Sequence, residues 1–561
     1  MEPQISETSD ARLPSVRCQI SIADLMTVER PPRGLKLDNA APRQNKTIAL
    51  LPAEELLREL LLGCRDDMLR SGISQAANLE IWIVGSWVRD RLLGVPCSAV
   101  DIVLSTVTGC QFGSYLTAFL NRNEASCRKR AAELKIPYSW LSSFQATKKD
   151  FGKSKALQIA VGRLSGLDLD LYGMEFGTLE EDAFRRDATV NALFFNLDSR
   201  QVLDPTKKGL DDMNACIIRT PLDPRQTFLD DPLRVLRLIR ISSKLGYMIE
   251  HNTKALMKDD GIQEALEMKV SREQIGIEVA KIMRQPNPSL ACRLLFEANL
   301  YTPVFLRPDP SILNAIQDKL PAGIRGPPWP PTWRLAYETL DLLVHRETSC
   351  FRDMIRCENP EDLWLMSAYA PIGGLRNGML KNAVDEATGA IKATRDVSKL
   401  LYTSLRNLDS IRAVARCTGN FLEPPSRSTV GMAIRAWGST WRSQVVYAFL
   451  AELVCETPSE LPLGLVVPLK DNAIMGAIIA KYNAFADFVM ANGLENADSL
   501  SPLLDDNEIM DLFGLENDGM FLKRTIEKLL EWQFNYKGMG PDDAAVWLLS
   551  RKEMLGIPSS S

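Results

Sequence analysis

The chain has 561 residues with 66 basic and 71 acidic side chains, so its net charge of −5 excludes a generally basic nucleic-acid protein but not local basic patches. Its 11 cysteines form no C-x-x-C pair and read as reduced thiols of a cytosol-like compartment, and its only histidines are His251 and His345. Zinc sites and Ser/His or Cys/His catalysis are therefore disfavoured, and any chemistry must rest on carboxylates and arginines.

Residues 1–45 are rich in Pro, Ser and Arg and read as a flexible tail. Their early acids Glu2, Glu7 and Asp10 make a poor mitochondrial presequence. A cytoplasmic or nuclear location is expected, with mitochondrial import by another signal left open. A helix pattern begins at Pro52, and E-I-W-I-V at 80–84 forms a short apolar strand. Gly85-Ser86 then turns into a helical segment, Trp87–Leu93, followed by a turn at 94–96 and a strand at 100–104. A Gly-Ser turn exposes backbone N–H groups that suit a triphosphate, and Arg89 adds charge on the first helical turn.

Between residues 121 and 156, nine basic side chains face three acidic ones, and Lys148, Lys149, Lys153 and Lys155 are candidates for an RNA backbone. Residues 166–172 alternate with period two, as a half-buried strand does. Asp187 and Asn191, four apart, would share a helix face and offer an acceptor and an amide to a ribose, with Arg186 a phosphate candidate. A hairpin is expected over 192–197 and 201–203. After Pro224 the pattern turns helical to the end, with Pro-rich joints at 307–310, 321–331 and 424–425. No apolar run approaches the roughly 18–20 residues that span a bilayer.

The most informative stretch is F-L-D-D-P-L-R-V-L-R-L-I-R at 228–240. A helical step of three falls about 60° short of a turn. Asp231, Arg234, Arg237 and Arg240 would thus line one drifting face while Leu233, Leu236 and Ile239 turn to a core. A carboxylate beside guanidinium groups can read a base edge and hold phosphates, although a solvated face tied by ion pairs has the same spacing.

These segments together resemble the CCA-adding tRNA nucleotidyltransferases of the bacterial and eukaryotic class. The motifs that carry the resemblance are G-S-W-V-R-D-R-L-L-G with A-V-D at 99–101, E-E-D-A-F-R-R-D-A-T-V-N-A at 180–192 and D-P-T-K-K-G-L-D-D at 204–212. D-D-P-L-R at 230–234 and V-S-R-E-Q-I-G-I-E at 270–278 follow in order, and the tail at 531–549 is similar to that of eukaryotic members. The resemblance implies an α+β chain: a polymerase-β-like head at 46–205, a helical neck at 206–300, a body at 301–500 and a tRNA-binding tail at 501–561. It implies addition of C or A from CTP and ATP to tRNA lacking its 3′ CCA, with Mg²⁺ as cofactor; no membrane partner is expected, and the sequence leaves the oligomeric state open, with a monomer favoured.

By the same resemblance, Asp101 would hold the metal and act in catalysis. Gly85, Ser86, Arg89, Arg186, Asp187 and Asn191 would bind the triphosphate and sugar, and Asp231, Arg234, Arg237 and Arg240 the base and phosphates. Two features depart from the family pattern. Ala99 stands where the leading carboxylate of D-x-D is expected, and the flexible loop before Gly177 is almost absent, which implies CC or partial addition. A silent paralogue that still binds tRNA or nucleotide is the alternative, and a poly(A) polymerase a further one.

Overall fold

The computed structural model describes residues 47–137, 142–149, 157–174, 177–306, 332–345, 350–355, 358–375, 379–419, 423–456, 473–515, 520–555 and 557. The expected tail at 1–45 and the joints at 307–310 and 321–331 lie outside the described residues. The chain divides into two compact units, one ending at Val304 and the other running on from Phe305.

The first unit is built on a seven-stranded sheet: β1 Ile81–Val84, β2 Ala99–Leu104, β3 Ser142–Lys149, β4 Leu157–Leu164, β5 Leu167–Gly173, β6 Phe194–Asn196 and β7 Val202–Leu203. Their order is β3-β4-β5-β2-β1-β6-β7. Only β2 and β5 run parallel; the other neighbours are antiparallel. All four residues of β1 are buried, which explains why it shows no polar alternation: a central strand covered on both faces needs apolar side chains throughout. The β3–β4 hairpin was not expected, because S-S-F-Q-A-T-K-K carries little apolar signal.

Helices close over this sheet. Pro52–Arg70 starts with proline at its first position and glutamates in its first turn, and buries Leu56, Leu57, Leu60, Leu61 and Met68 on one stripe. Gly109 opens the helix Gly109–Arg122 so close to β5 that a Cβ there would lie 1.9 Å from the Leu171 carbonyl oxygen. Only glycine permits that approach. Beyond β7 the unit continues in helices, among them Pro224–Asp230, Arg234–Leu245 and Arg272–Met283, with a small parallel pair, β8 Ile217–Ile218 and β9 Met248–Ile249, between them. Ser271 caps Arg272–Met283 in a reciprocal box with Gln274.

All described elements of the second unit are helical. Pro424 and Pro425 separate the helix Arg395–Thr418 from Arg427–Trp437. Trp441–Glu456 is buried almost all round, at the centre of its unit. Ala473–Asn492 is long and apolar enough to cross a bilayer by length and composition, a property its interspersed Lys481 and Asp487 hid from a search for an uninterrupted apolar run. In the structure 44% of that stretch is buried inside the protein, and Lys481 is ion-paired with Glu452. Leu504, Ile509, Phe513, Leu529, Trp532 and Leu548 share one apolar cluster near the chain's end. Arg427 fastens this end down, its Nε donating to the Asn492 carbonyl at 2.8 Å and its Nη1 to that of Phe534.

Candidate nucleotide-binding site

β1 ends at Val84, and Gly85 turns the chain with φ +76° and ψ −134°, a backbone conformation that side-chain-bearing residues rarely adopt. A Cβ on Gly85 would lie 3.3 Å from Arg186 Nη1, 3.6 Å from Asp101 Oδ2 and 3.8 Å from the Asn191 carbonyl oxygen. Four residues picked out in the sequence, Gly85, Asp101, Arg186 and Asn191, thus meet at one point. Ser86, half-buried, opens the helix Ser86–Leu92 beside it. Asp101 sits in β2 between Val84 of β1 and Asp170 of β5, while Ala99 is exposed two residues earlier.

Arg186 is held from several sides. Its Nε and Nη2 donate to Asp182 Oδ2 at 3.0 and 2.7 Å, Nη2 donates to the Tyr172 hydroxyl at 3.1 Å, and its guanidinium lies 5.2 Å from the Phe194 ring centre. Burial opposes its charge, but Tyr172 and Asp182 outweigh burial and raise its pKa further.

Arg89 departs from expectation. It lies on the inner side of its short helix with Trp87, Val88 and Asp90, only 2% exposed, rather than open to a phosphate. Its Nε and Nη2 donate to Asp90 Oδ1 at 2.8 and 2.7 Å, and its Nη1 donates to Asn191 Oδ1. Asn191 Nδ2 in turn donates to Asp187 Oδ1 at 3.0 Å. Asp187 and Asn191 do not share an α-helix, as their spacing suggested. Asp187 precedes a single 3₁₀ turn, Thr189–Asn191, and the two side chains meet across it. Burial works against the Asp187 charge, yet Arg237, Asn191, Arg240 and Arg234 together hold its carboxyl below the usual range.

The helix that carries those arginines begins at Arg234, not before Asp231. Asp231 has φ −140° and ψ 90°, since the Pro232 ring excludes α geometry from the residue before it. The acid nevertheless stays with the arginines: Asp231 Oδ2 is 3.6 Å from both Arg234 Nε and Arg237 Nη1. Arg234 Nη2 donates to the Arg185 carbonyl at 2.6 Å, while its buried Nε has no hydrogen-bond partner among the described residues. Arg240 turns elsewhere, donating from Nε to the buried Glu278 at 2.7 Å, and is thereby a packing residue more than a ligand contact.

The basic stretch is partly neutralised. Arg122 pairs with Asp67 at 2.6 Å, Arg128 with Glu124 at 2.7 Å and Arg130 with Glu59 at 2.6 Å, which favours the solvated-face reading for these three. Lys148 and Lys149 lie on β3 opposite Gln158 and Leu157 of β4, and Lys153 and Lys155 lie outside the described residues. Sequence reasoning gave no role to Lys244, Asp90, Tyr172, Asp182 or Glu278, all of which shape this site. A signal existed for Lys244, which continues the cationic face one turn beyond Arg240.

Residues 81–219 match the family of the poly A polymerase head domain. The chain is 30% identical to the nucleotidyltransferase lcsQ of Purpureocillium lilacinum over 92% of its own length and 94% of that protein's. It is 29% identical to tRNA nucleotidyltransferase cca2 of Schizosaccharomyces pombe, covering 88% of this chain and 96% of the relative. The mitochondrial CCA tRNA nucleotidyltransferase of Saccharomyces cerevisiae is 27% identical over 87% of this chain and 91% of its own. The fold is similar to that of a CCA-adding enzyme solved with ATP (TM-score 0.57, 17% identity, 92% of this chain and 100% of that one). It is also similar to the Thermotoga maritima CCA-adding enzyme complexed with tRNA (TM-score 0.54, 17% identity, 91% and 99%).

Proposed function

The chain belongs to the family of CCA-adding tRNA nucleotidyltransferases, and from that membership we propose that it extends tRNA lacking its 3′ terminus with C from CTP, reaching CC or CCA. The observation that carries this reading is the buried Nε of Arg234, which is ion-paired with Asp231 at 3.6 Å but makes no hydrogen bond among the described residues. Cytosine and adenine each present an exocyclic amine next to a ring acceptor, whereas uracil and guanine reverse that order. Asp231 accepts from the amine and Arg234 Nε donates to the ring nitrogen, so the protein selects C and A without a template strand. A buried guanidinium N–H that makes no hydrogen bond costs roughly 1–3 kcal/mol, and an incoming base relieves that cost.

The reaction is a displacement at the α-phosphorus. The terminal hydroxyl of the tRNA releases its proton to solvent as its oxygen forms the new P–O bond, the α–β bridge breaks, and pyrophosphate leaves with its electron pair. Most of the rate comes from positioning and charge stabilisation. The Ser86 backbone N–H and the Arg186 guanidinium receive the triphosphate, the Gly85 N–H being taken by the Leu193 carbonyl at 3.1 Å, and Asp187 with Asn191 receives the ribose. Arg89 acts through Asn191, and Arg240 through Glu278, as positioning residues.

The donor set suits a hard divalent ion, for which Mg²⁺ is our reading: carboxylate oxygens on the sheet face, with Asp101 against the Gly85 turn. Among the described residues no three acidic, His or Cys side chains gather around one point. That suits an ion held by one or two carboxylates and the substrate's own phosphates. Such an ion, bound through Asp101, would neutralise charge on the transferring phosphoryl group.

The helical second unit, including its tail, is read as the surface that follows the tRNA acceptor and T stems by shape and phosphate contact. Two relatives bear mitochondrial names, so import is the finer question of location. Ala99 favours a second reading, a relative that binds tRNA and nucleotide without turnover. Incubation with tRNA ending before CCA, with CTP, ATP and Mg²⁺, resolved at single nucleotides, separates the two. Added C residues support the transferase, and intact tRNA binding with no addition supports the binder.

A further inference from the structure

Near its end β5 carries Tyr172, which the parallel register sets opposite Val103 of β2. Alternate residues along a strand share a face, so Tyr172 stands on the side of the sheet that also carries Asp101. The half-buried ring packs onto an apolar cluster that includes Trp82, Val103 and Phe194, and its hydroxyl reaches Arg186. The apolar body thus fixes where the polar tip sits.

The hydrogen bonds of Arg186 divide its guanidinium in two. Nε and Nη2 donate to Asp182, and Nη2 also donates to the Tyr172 oxygen at 3.1 Å. That leaves Nη1, whose N–H groups lie over the Gly85 turn, 3.3 Å from where a Cβ on that glycine would sit. Tyr172 is in a complementary position. A phenol both accepts and donates, and here the oxygen already accepts from Arg186. Its proton must therefore point elsewhere, and among the described residues no acceptor takes it. Burial above all, with the carboxylates of Asp101 and Asp182, pushes the phenol's pKa up against the pull of Arg186. The hydroxyl keeps its proton and stays a donor.

We infer that the Tyr172 hydroxyl is a ligand of the bound triphosphate, accepting an N–H from Arg186 while giving its own proton to a phosphate oxygen beside Arg186 Nη1. A hydroxyl that receives a cationic donor is polarised toward releasing its hydrogen bond outward, and an anionic oxygen is the acceptor that gains most from it. The inference rests on the nucleotide-binding reading above and deepens it.

Its test uses the full chain with Mg²⁺ and measures Kd for CTP by calorimetry and for cytidine by competition. Tyr172→Phe keeps the packed ring and removes only the hydroxyl, so its thermal midpoint should move by no more than about 4 °C. The Kd for CTP should rise by about 10-fold or more, the size of a hydrogen bond to a charged group. Cytidine has no phosphate, and its affinity should not change. Tyr172→Phe placed on top of Arg186→Gln should weaken CTP binding further, since the hydroxyl contacts the phosphate directly.

A wild-type Kd for CTP in Tyr172→Phe overturns the assignment, as does a loss shared equally by cytidine. An effect of Tyr172→Phe that vanishes in the Arg186→Gln background also overturns it, because the hydroxyl would then only brace that guanidinium. An unaltered chain that binds no CTP removes the nucleotide reading and this inference together. Binding of CTP that is indifferent to Tyr172→Phe removes this inference alone.

Discussion

Lys244 Nζ stands 2.6 Å from Asp90 Oδ2, tying the helix of arginines to the short helix Ser86–Leu92 that follows β1. Asp90 is fully buried, and its other oxygen receives Arg89, which reaches Asn191 and through it Asp187. Five side chains from three segments thus form one continuous polar line into the candidate sugar pocket. Replacing Lys244 by Met removes one of the two cations on a carboxylate that water cannot reach. Loss of one partner of a buried pair typically costs about 3–5 kcal/mol. The expected result is a lowered unfolding midpoint in urea and a raised KM for CTP; an unchanged midpoint would show that Arg89 alone suffices for Asp90.

Asp231→Ala should remove the acceptor for the base amine and leave Arg234 and Arg237 without their carboxylate. A hydrogen bond to a charged group contributes about 1.5–3 kcal/mol, or roughly 10- to 150-fold. We expect a loss of that order in kcat/KM for CTP, with preference for CTP over UTP reduced by a similar factor. Steady-state addition with each nucleotide reads both. Selectivity that survives intact would move base reading away from this pair.

Gly85→Ala should be harmful at two levels. The φ of +76° with ψ −134° strains any residue with a side chain by about 1–3 kcal/mol. The added methyl also enters the space between Arg186 Nη1 at 3.3 Å and Asp101 Oδ2 at 3.6 Å. Nucleotide affinity should fall more than stability does, and calorimetry beside thermal unfolding compares the two directly.

Acid stability has a defined sign at Glu278. Burial raises its pKa, but Arg240 and Lys281 outweigh burial and hold the carboxyl below its ordinary value of 4.5. A depressed carboxyl stabilises the folded chain fully above that value, and the contribution is lost as pH falls through the folded-state pKa. Glu278→Gln should therefore lower the unfolding midpoint at pH 7. The gap between variant and wild type should close on acidification below pH 4.5, once the wild-type carboxyl is protonated. A gap that stays constant down to low pH would mean that Glu278 acts by shape and not by charge.

β1 is legible because burial on both faces leaves an uninterrupted apolar run, and β5 because its apolar and acidic residues alternate with period two. β3 is not, since an edge strand of serine, glutamine, threonine and lysine is read only through its partner β4. At the site, types and order pointed to the right residues, but local geometry escaped in three places. Pro232 was read as part of a helix, although a proline ring excludes α geometry from the residue before it. Asp187 and Asn191 meet across a 3₁₀ turn, which spacing alone does not distinguish from a helix face. Arg89 read as a surface cation because nothing in the sequence shows that Asp90 is buried and takes its charge.

Arg427 draws the carbonyls of Asn492 and Phe534 onto a single side chain. A deletion beginning ahead of residue 534 would strip away one of those acceptors and uncover the face of Arg427–Trp437 where Gly431 abuts the Phe534 ring. The closing helices are on this account a keystone for the ones that precede them, and shortening the polypeptide there would loosen more than it removes.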